Sequence, residues 1–213
     1  GFNAARGLAR DASEIAFAKA QEAKRQGDEL AVMDALNKAH LLRTDIRTSA
    51  LGKQGKNAFG AVEPSMDQWK TGTEEIAKGL VTDEQRTAFR KRTDELGWGL
   101  NDALASHVSG ELRRFDLETT QAYLDNQRND AIQNFDNPGE VLMAVDGIRA
   151  AVNDHAARNG VPEEARKAML DDNVSKTYAS VVERMVNVGQ DLDARAFAQD
   201  HKGEFGKYAS SVD

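Results

Sequence analysis

His107 and Glu111 stand four residues apart in a stretch with helical periodicity, which places an imidazole and a carboxylate on one helical face. That is adequate geometry for two metal ligands, but a zinc-type centre takes three or four, there is no HExxH, and the chain has no cysteine. The simpler expectation is that His107 and His155 are partly buried stripe residues with satisfied ring nitrogens, while His40 and His201 lie on the surface. Paired carboxylates at Glu74-Glu75, Glu163-Glu164 and Asp171-Asp172 have the residue type that cleaves glycosidic bonds. They fall mostly on first turns or solvated faces, where negative charge is ordinary. Ser49, Ser65, Ser106, Ser109, Ser175 and Ser180 sit in cap, loop or helix contexts with no base and orienting group visible around them. The expectation is therefore a non-enzymatic chain with no catalytic residue, no metal ligand and no cofactor.

A second kind of chemistry is suggested by Arg43, Arg47, Lys53 and Lys56, a basic run interleaved with Gly52, Gly55 and Gly60. Backbone N–H groups of a glycine loop together with lysines suit phosphate, so these four residues are candidates for phosphate or partner contact. The segment LGKQGKNAFG, residues 51–60, is not a Walker loop, because no GK[ST] follows a strand. A flexible connector kept soluble by its lysines, with Phe59 tucked into the adjoining bundle, fits the composition better. The whole chain also weighs against nucleic acid: 28 Lys plus Arg face 35 Asp plus Glu, a net charge of -7 that repels polyphosphate except at a local patch.

Positioning these groups falls to helices. Of the 213 residues 40% are hydrophobic and only 6% aromatic, so each helix has a narrow stripe of Ala, Leu and Val suited to helix pairing. No segment alternates over enough residues to read as a strand, and each of the 3 prolines, Pro64, Pro138 and Pro162, sits where a helix can begin. The spacing predicts a first helix over 4–25, with Leu8, Ala12, Ile15, Ala16 and Ala23 on one face, ended by Gly27. Asp28 then caps a second helix with the stripe Leu30, Met33, Leu36 and Leu41, which makes residues 1–50 an antiparallel hairpin.

Residues 51–65 read as the Gly/Lys-rich connector, and residues 66–213 as a helical bundle or solenoid-like region continuous with a longer native chain. Within it, a helix through Trp69 and Ile76 stops near Gly79, and the capping box Thr82-Asp83-Glu84-Gln85 starts a long central helix. That helix carries Phe89, Leu96, Leu100, Leu104, Leu112, Phe115 and Ala122, with a bend or break expected at Gly110. Further stripes are Val141, Val145, Ile148, Val152 and His155, then Val174, Tyr178, Val181, Met185 and Val188. A short helix with Leu192, Ala196 and Phe197 follows Gly189, and the two last helices form a terminal hairpin that wants a partner. Met185, Leu192 and Phe197 are its candidate partner-facing residues. The expected architecture is all-α, an elongated array of antiparallel helical hairpins around one long central helix. No apolar run approaches the ~20 residues a membrane span needs. No signal peptide is visible, and Gly1-Phe2-Asn3 lacks an initiator Met, as expected of a piece of a longer protein.

The succession GKQGKNAFGAV at 52–62, an acidic helix with Trp69, and LVTDEQRTAFRKR at 80–92 resembles the helical regions of large virion-associated proteins of tailed phages and prophages. Proteins of that group are described as tail, internal virion or DNA-transfer proteins. The segments AAVNDHAARNGVP at 150–162 and SKTYASVVERMVNVGQDLDARAFAQ at 175–199 are similar to the same group. The resemblance covers roughly residues 41 to 200, and its motifs are helix caps and core stripes. It implies a structural or DNA-ejection segment of a phage or prophage particle, found in the virion or in the host cytoplasm before assembly. It implies partners among other proteins, the rest of its own chain or a second copy, and it transfers no catalytic residue. Two other classes stay open: nucleic-acid contact through residues 43–56, and a cell-wall-lytic segment using a carboxylate pair.

Overall fold

The computed structural model describes the backbone of residues 2–211 and the side chains of residues 13–209, so Leu8 and Ala12 of the expected first stripe lie outside the described side chains. Among the described residues the fold is all-α, with six α-helices, short 3₁₀ turns and no strand. Two compact units emerge, residues 1–112 and 113–213, each with its own apolar core. The boundary between these units falls inside the long helix.

Helix α1 is a single element, Phe2–Leu51, where the spacing predicted a hairpin broken at Gly27. Glycine in a helix interior costs about 1 kcal/mol, and an ion pair that spans it offsets part of that. Arg25 supplies one such pair, to Glu29 at 2.6 Å, and a second ion pair to Glu22 at 2.6 Å, just before the glycine. Asp28 caps nothing; its carboxylate accepts from the side-chain amide of Gln85 at 2.7 Å and ties α1 to the start of α3. Nothing lies within 4 Å of a Cβ added at Gly27. Gly27→Ala is therefore expected to raise stability by about 1 kcal/mol, read as a higher unfolding midpoint, whereas a turn at Gly27 would make the same change destabilising.

The inward face of α1 also differs from expectation. Ile15, Leu30, Met33 and Leu41 are exposed, and α1 buries Ala35, Ala39, Ile46 and Ala50 instead. Helix α2 (Val62–Lys78) packs closely on α1: at Gly72 an added Cβ would run into the end of the Leu42 side chain. Helix α3 (Asp83–Gln133) completes the first unit with its N-terminal part. Trp69 of α2 meets Gly97 of α3, while Asp28, Arg43 and Lys53 meet Gln85, Gly99 and His107 at a nearly constant sequence offset. Those pairings make α1 and α3 parallel, with α2 antiparallel to both. Thr82 and Gln85 form the expected capping box: the Gln85 N–H donates to the Thr82 hydroxyl at 3.1 Å, and the Gln85 amide oxygen accepts the Thr82 and Val81 N–H groups.

Helix α3 continues past Gly110 without a break. In the second unit it buries Leu124, Arg128 and Ala131; of the expected stripe, Leu112 at the end of the first unit and Ala122 in the second are exposed. Helix α4 (Pro138–Asn159) opens with Asn137, whose side chain accepts from the Gly139 and Glu140 N–H groups, and closes at Gly160 in the left-handed region, φ 61°. Its whole predicted stripe, Val141 to His155, is buried. Helix α5 (Glu163–Asn187) buries Val174, Tyr178, Val181 and Met185, and Gly189, φ 81°, turns the chain into α6 (Asp191–Asp200).

The contacts of Asp116 with His155, and of Arg128 with Asn173, make α4 antiparallel and α5 parallel to this part of α3. The terminal hairpin has its partner within the chain. Met185 and Phe197, expected to face outward, are buried in the unit's own core, and only Leu192 of the three is exposed. Residues 202–211 fold back as two 3₁₀ turns over α5 and bury Phe205 beside Tyr178.

Candidate functional site

The glycine segment after α1 is a built turn. Gly55, φ 53°, begins a 3₁₀ turn Gly55–Ala58, in which the Asn57 N–H donates to the Gln54 carbonyl and the Phe59 N–H to the Lys56 carbonyl. Ala58 and Ala61 are the residues it buries, and Phe59 stays half-buried. Helix α3 holds this turn at two points: His107 Nε2 lies 2.9 Å from the Lys53 carbonyl oxygen, and the buried Glu111 carboxylate accepts the Gly55 N–H at 2.7 Å. The pair with metal-ligand spacing is thus committed to the backbone of the glycine turn. Among the described residues, no group of three or more His, Cys, Asp or Glu is placed to hold a metal ion.

The four basic candidates differ in setting. Arg43 is half-buried, with its Nη2 beside Gly99, while Arg47, Lys53 and Lys56 are exposed. Arg43 and Arg47 line one depression of about 280 Å³ with Thr44, Thr48 and Leu51, at the end of α1 that leads into the glycine turn. A larger groove of about 740 Å³ runs between α2 and α3 over Phe89 and Ala77. Its rim mixes Lys70, Lys78, Arg86 and Arg90 with Glu74 and Asp94. The hydroxyls in it are engaged: Thr73 donates to the Trp69 carbonyl at 2.9 Å and Thr93 to the Phe89 carbonyl at 3.1 Å. Ser175 and Thr177 in the second unit likewise donate to carbonyls one turn back in α5. Such engaged hydroxyls are not set up as nucleophiles, which need a side-chain base within hydrogen-bond reach.

The sequence reading missed the polar centre of the second unit. Asp116 accepts from His155 Nδ1 at 2.6 Å, Arg158 Nε at 2.7 Å and Asn159 Nδ2 at 2.6 Å. The signal available was the spacing His155, Arg158, Asn159 on one face of α4; what could not be read was Asp116 opposite it. Burial alone would push the Asp116 carboxyl up, but the bonds from Asn159, His155 and Arg158 outweigh it and hold it below the ordinary carboxylate range. A folded-state pKa below the unfolded value gives stability that is present above about pH 4 and lost as pH falls through the folded pKa. Asp116→Asn is expected to cost about 1–3 kcal/mol at neutral pH and to flatten the acid limb of a stability–pH curve. An unchanged acid limb would show that this carboxylate is not the linked group.

His201, expected on the surface, is half-buried and stacks on Tyr178, ring centroids 4.6 Å apart at 25°. His40 is exposed, as expected. Of the carboxylate pairs, Glu74-Glu75 and Glu163-Glu164 are exposed, while Asp171 is exposed and Asp172 half-buried; Glu163 binds Arg166 at 2.6 Å, and Glu75 and Asp172 pair with Lys78 and Lys207. No helix among the described residues is long and apolar enough to cross a membrane. Compared with known proteins, the chain matches no protein-family profile, no curated protein and no solved structure.

Proposed function

We propose that this chain is a non-enzymatic structural segment of a phage or prophage virion protein, acting in the tail or in DNA ejection through the surfaces of its helical units. The observation that carries the reading is how the chemistry-bearing side chains are used. His107, Glu111, Asp116 and His155 hold the fold together, and the hydroxyls in the α2–α3 groove are engaged by their own helices. A scaffold spends polar groups this way, whereas an active site leaves them facing a substrate. The resemblance of residues 52–62, 80–92, 150–162 and 175–199 to virion-associated proteins supports the particular setting. Mass spectrometry of purified particles tests it: the chain is expected as a stoichiometric particle component. Its absence from particles, with no portal, capsid or tail genes beside its own gene, would remove the reading.

A second reading, nucleic-acid contact, is favoured by one observation: Arg43 and Arg47 line a common depression next to the lysine-bearing turn. It requires salt-sensitive DNA binding that weakens when Lys53 and Lys56 are both changed to Glu, since phosphate contacts release counterions. Fluorescence anisotropy at low salt decides it, and no binding there ends the idea.

A further inference from the structure

Helix α1 has two apolar faces, and its own unit uses one. Ala35, Ala39, Ile46 and Ala50 are buried, while Ile15, Leu30, Met33 and Leu41 are 58%, 64%, 58% and 68% exposed. Ile15 and Met33 are about five whole turns apart, and Leu30 and Leu41 lie within about 80° of the line joining them, so the exposed four form one stripe. The buried residues project from roughly the opposite side of the helix, so a partner on the stripe would not meet α2 or α3. Residues 13–27 are exposed on every side. A helix without a packing partner is marginal in water, because most helical stability in proteins comes from burying an amphipathic face.

The order of residues along the stripe says what covers it. Laid antiparallel on itself with Leu30 opposite Met33 of a second copy, the stripe puts Gln26 opposite Asn37 and brings Ala23 near Leu41 and Lys19 near Asp45. Leu30 then meets Met33 and Ala23 meets Leu41, amide meets amide and a cation meets an anion, while Ile15 falls opposite Thr48 at the end of the seam. Each of these pairs occurs twice about the two-fold axis, as an isologous interface requires. Buried amides facing each other across a helix pair are a recognised means of setting register. We infer that α1 pairs antiparallel with α1 of a second copy of this chain, about an axis between Leu30 and Met33, along a seam about 40 Å long. This pairing goes beyond the proposed function and does not depend on the virion setting.

The chain has no cysteine, so crosslinks report the register directly. Two singly substituted chains, Gln26→Cys and Asn37→Cys, would be mixed and oxidised. The antiparallel register predicts a disulfide between the two different chains and little within either one alone. Two copies of position 26, or of position 37, would be about 16 Å apart along the axis, beyond the reach of a disulfide. Parallel pairing predicts the reverse, self-crosslinking of each variant and no mixed product, and would overturn the inference. Light scattering of the unmodified chain over micromolar to sub-millimolar concentrations should show a monomer–dimer equilibrium. Met33→Glu should shift it at least tenfold toward monomer while the thermal unfolding midpoint of the first unit, read where both chains are monomeric, stays unchanged, since the side chain lies outside that unit's core. A chain that stays monomeric throughout, leaving the stripe to a different protein, or a dimer indifferent to Met33→Glu, would also overturn it.

Discussion

Tyr178→Ala is expected to lower the stability of the second unit by about 3–5 kcal/mol, among the largest effects of any single truncation in the chain. The side chain is 2% exposed and its ring is the hub of an aromatic cluster. Phe197 lies 5.8 Å away at 46°, His201 at 4.6 Å and 25°, and Phe205 at 6.2 Å and 59°. Tyr178 stands on α5, Phe197 on α6 and Phe205 between the two 3₁₀ turns that follow α6, so the cavity would loosen α6 and residues 202–211 against α5. Truncation removes transfer energy and leaves a void that surrounding rings fill only in part, because each is pinned by a different element. Tyr178→Phe keeps the ring and should cost less than about 1.5 kcal/mol. Hydrogen exchange followed by mass spectrometry provides the test, with faster exchange expected across α5, α6 and residues 202–211. A loss below about 1 kcal/mol would mean that the cluster carries little of the unit's stability.

Trp69→Ala is expected to cost the first unit about 3–5 kcal/mol, and it should invert the sign of a second substitution. Trp69 is 5% exposed and lies against α3 at Gly97, where an added Cβ would come within 2.6 Å of the indole Nε1. Two effects oppose each other at that glycine. Alanine is better than glycine in a helix by about 1 kcal/mol, whereas overpacking against a rigid ring costs about 1–3 kcal/mol. With Trp69 in place the clash wins, and Gly97→Ala destabilises. With Trp69→Ala the ring is gone and only the propensity term remains, so Gly97→Ala stabilises by about 1 kcal/mol. A double-mutant cycle in urea measures the coupling directly. Additive effects would mean that the indole moves aside freely and the close approach has no energetic weight.

The helix boundaries legible beforehand are those set by local chemistry. The capping box at Thr82 and Gln85, the Asn137 cap before Pro138, and the left-handed Gly160 after Asn159 each depend on residues within a few positions of one another. Gly27 misled for the complementary reason. A glycine marks a helix end only if the chain gains something by turning there, and Asp28 gains more from Gln85, distant in sequence, than from capping. The glycine- and lysine-rich turn could be located but not described. Its anchors, His107 and Glu111, were legible as a pair on one helical face, yet what they hold is a backbone carbonyl and an N–H more than fifty residues away.

The amino-acid sequence by itself determined that this protein is all-α, where most of its helices begin, and which faces of α4 and α5 are buried, because periodicity and capping act over one or two turns. Tertiary structure decided the rest. It turned the alanine face of α1 inward and left the larger apolar stripe outside, because which face is buried depends on the surfaces of α2 and α3 packed against it rather than on α1's own period. It placed Phe205 in the core from a stretch with no helical pattern, and gathered Asp116, His155, Arg158 and Asn159 from two helices. Burial is a property of pairs of surfaces, and a single sequence shows only one surface at a time.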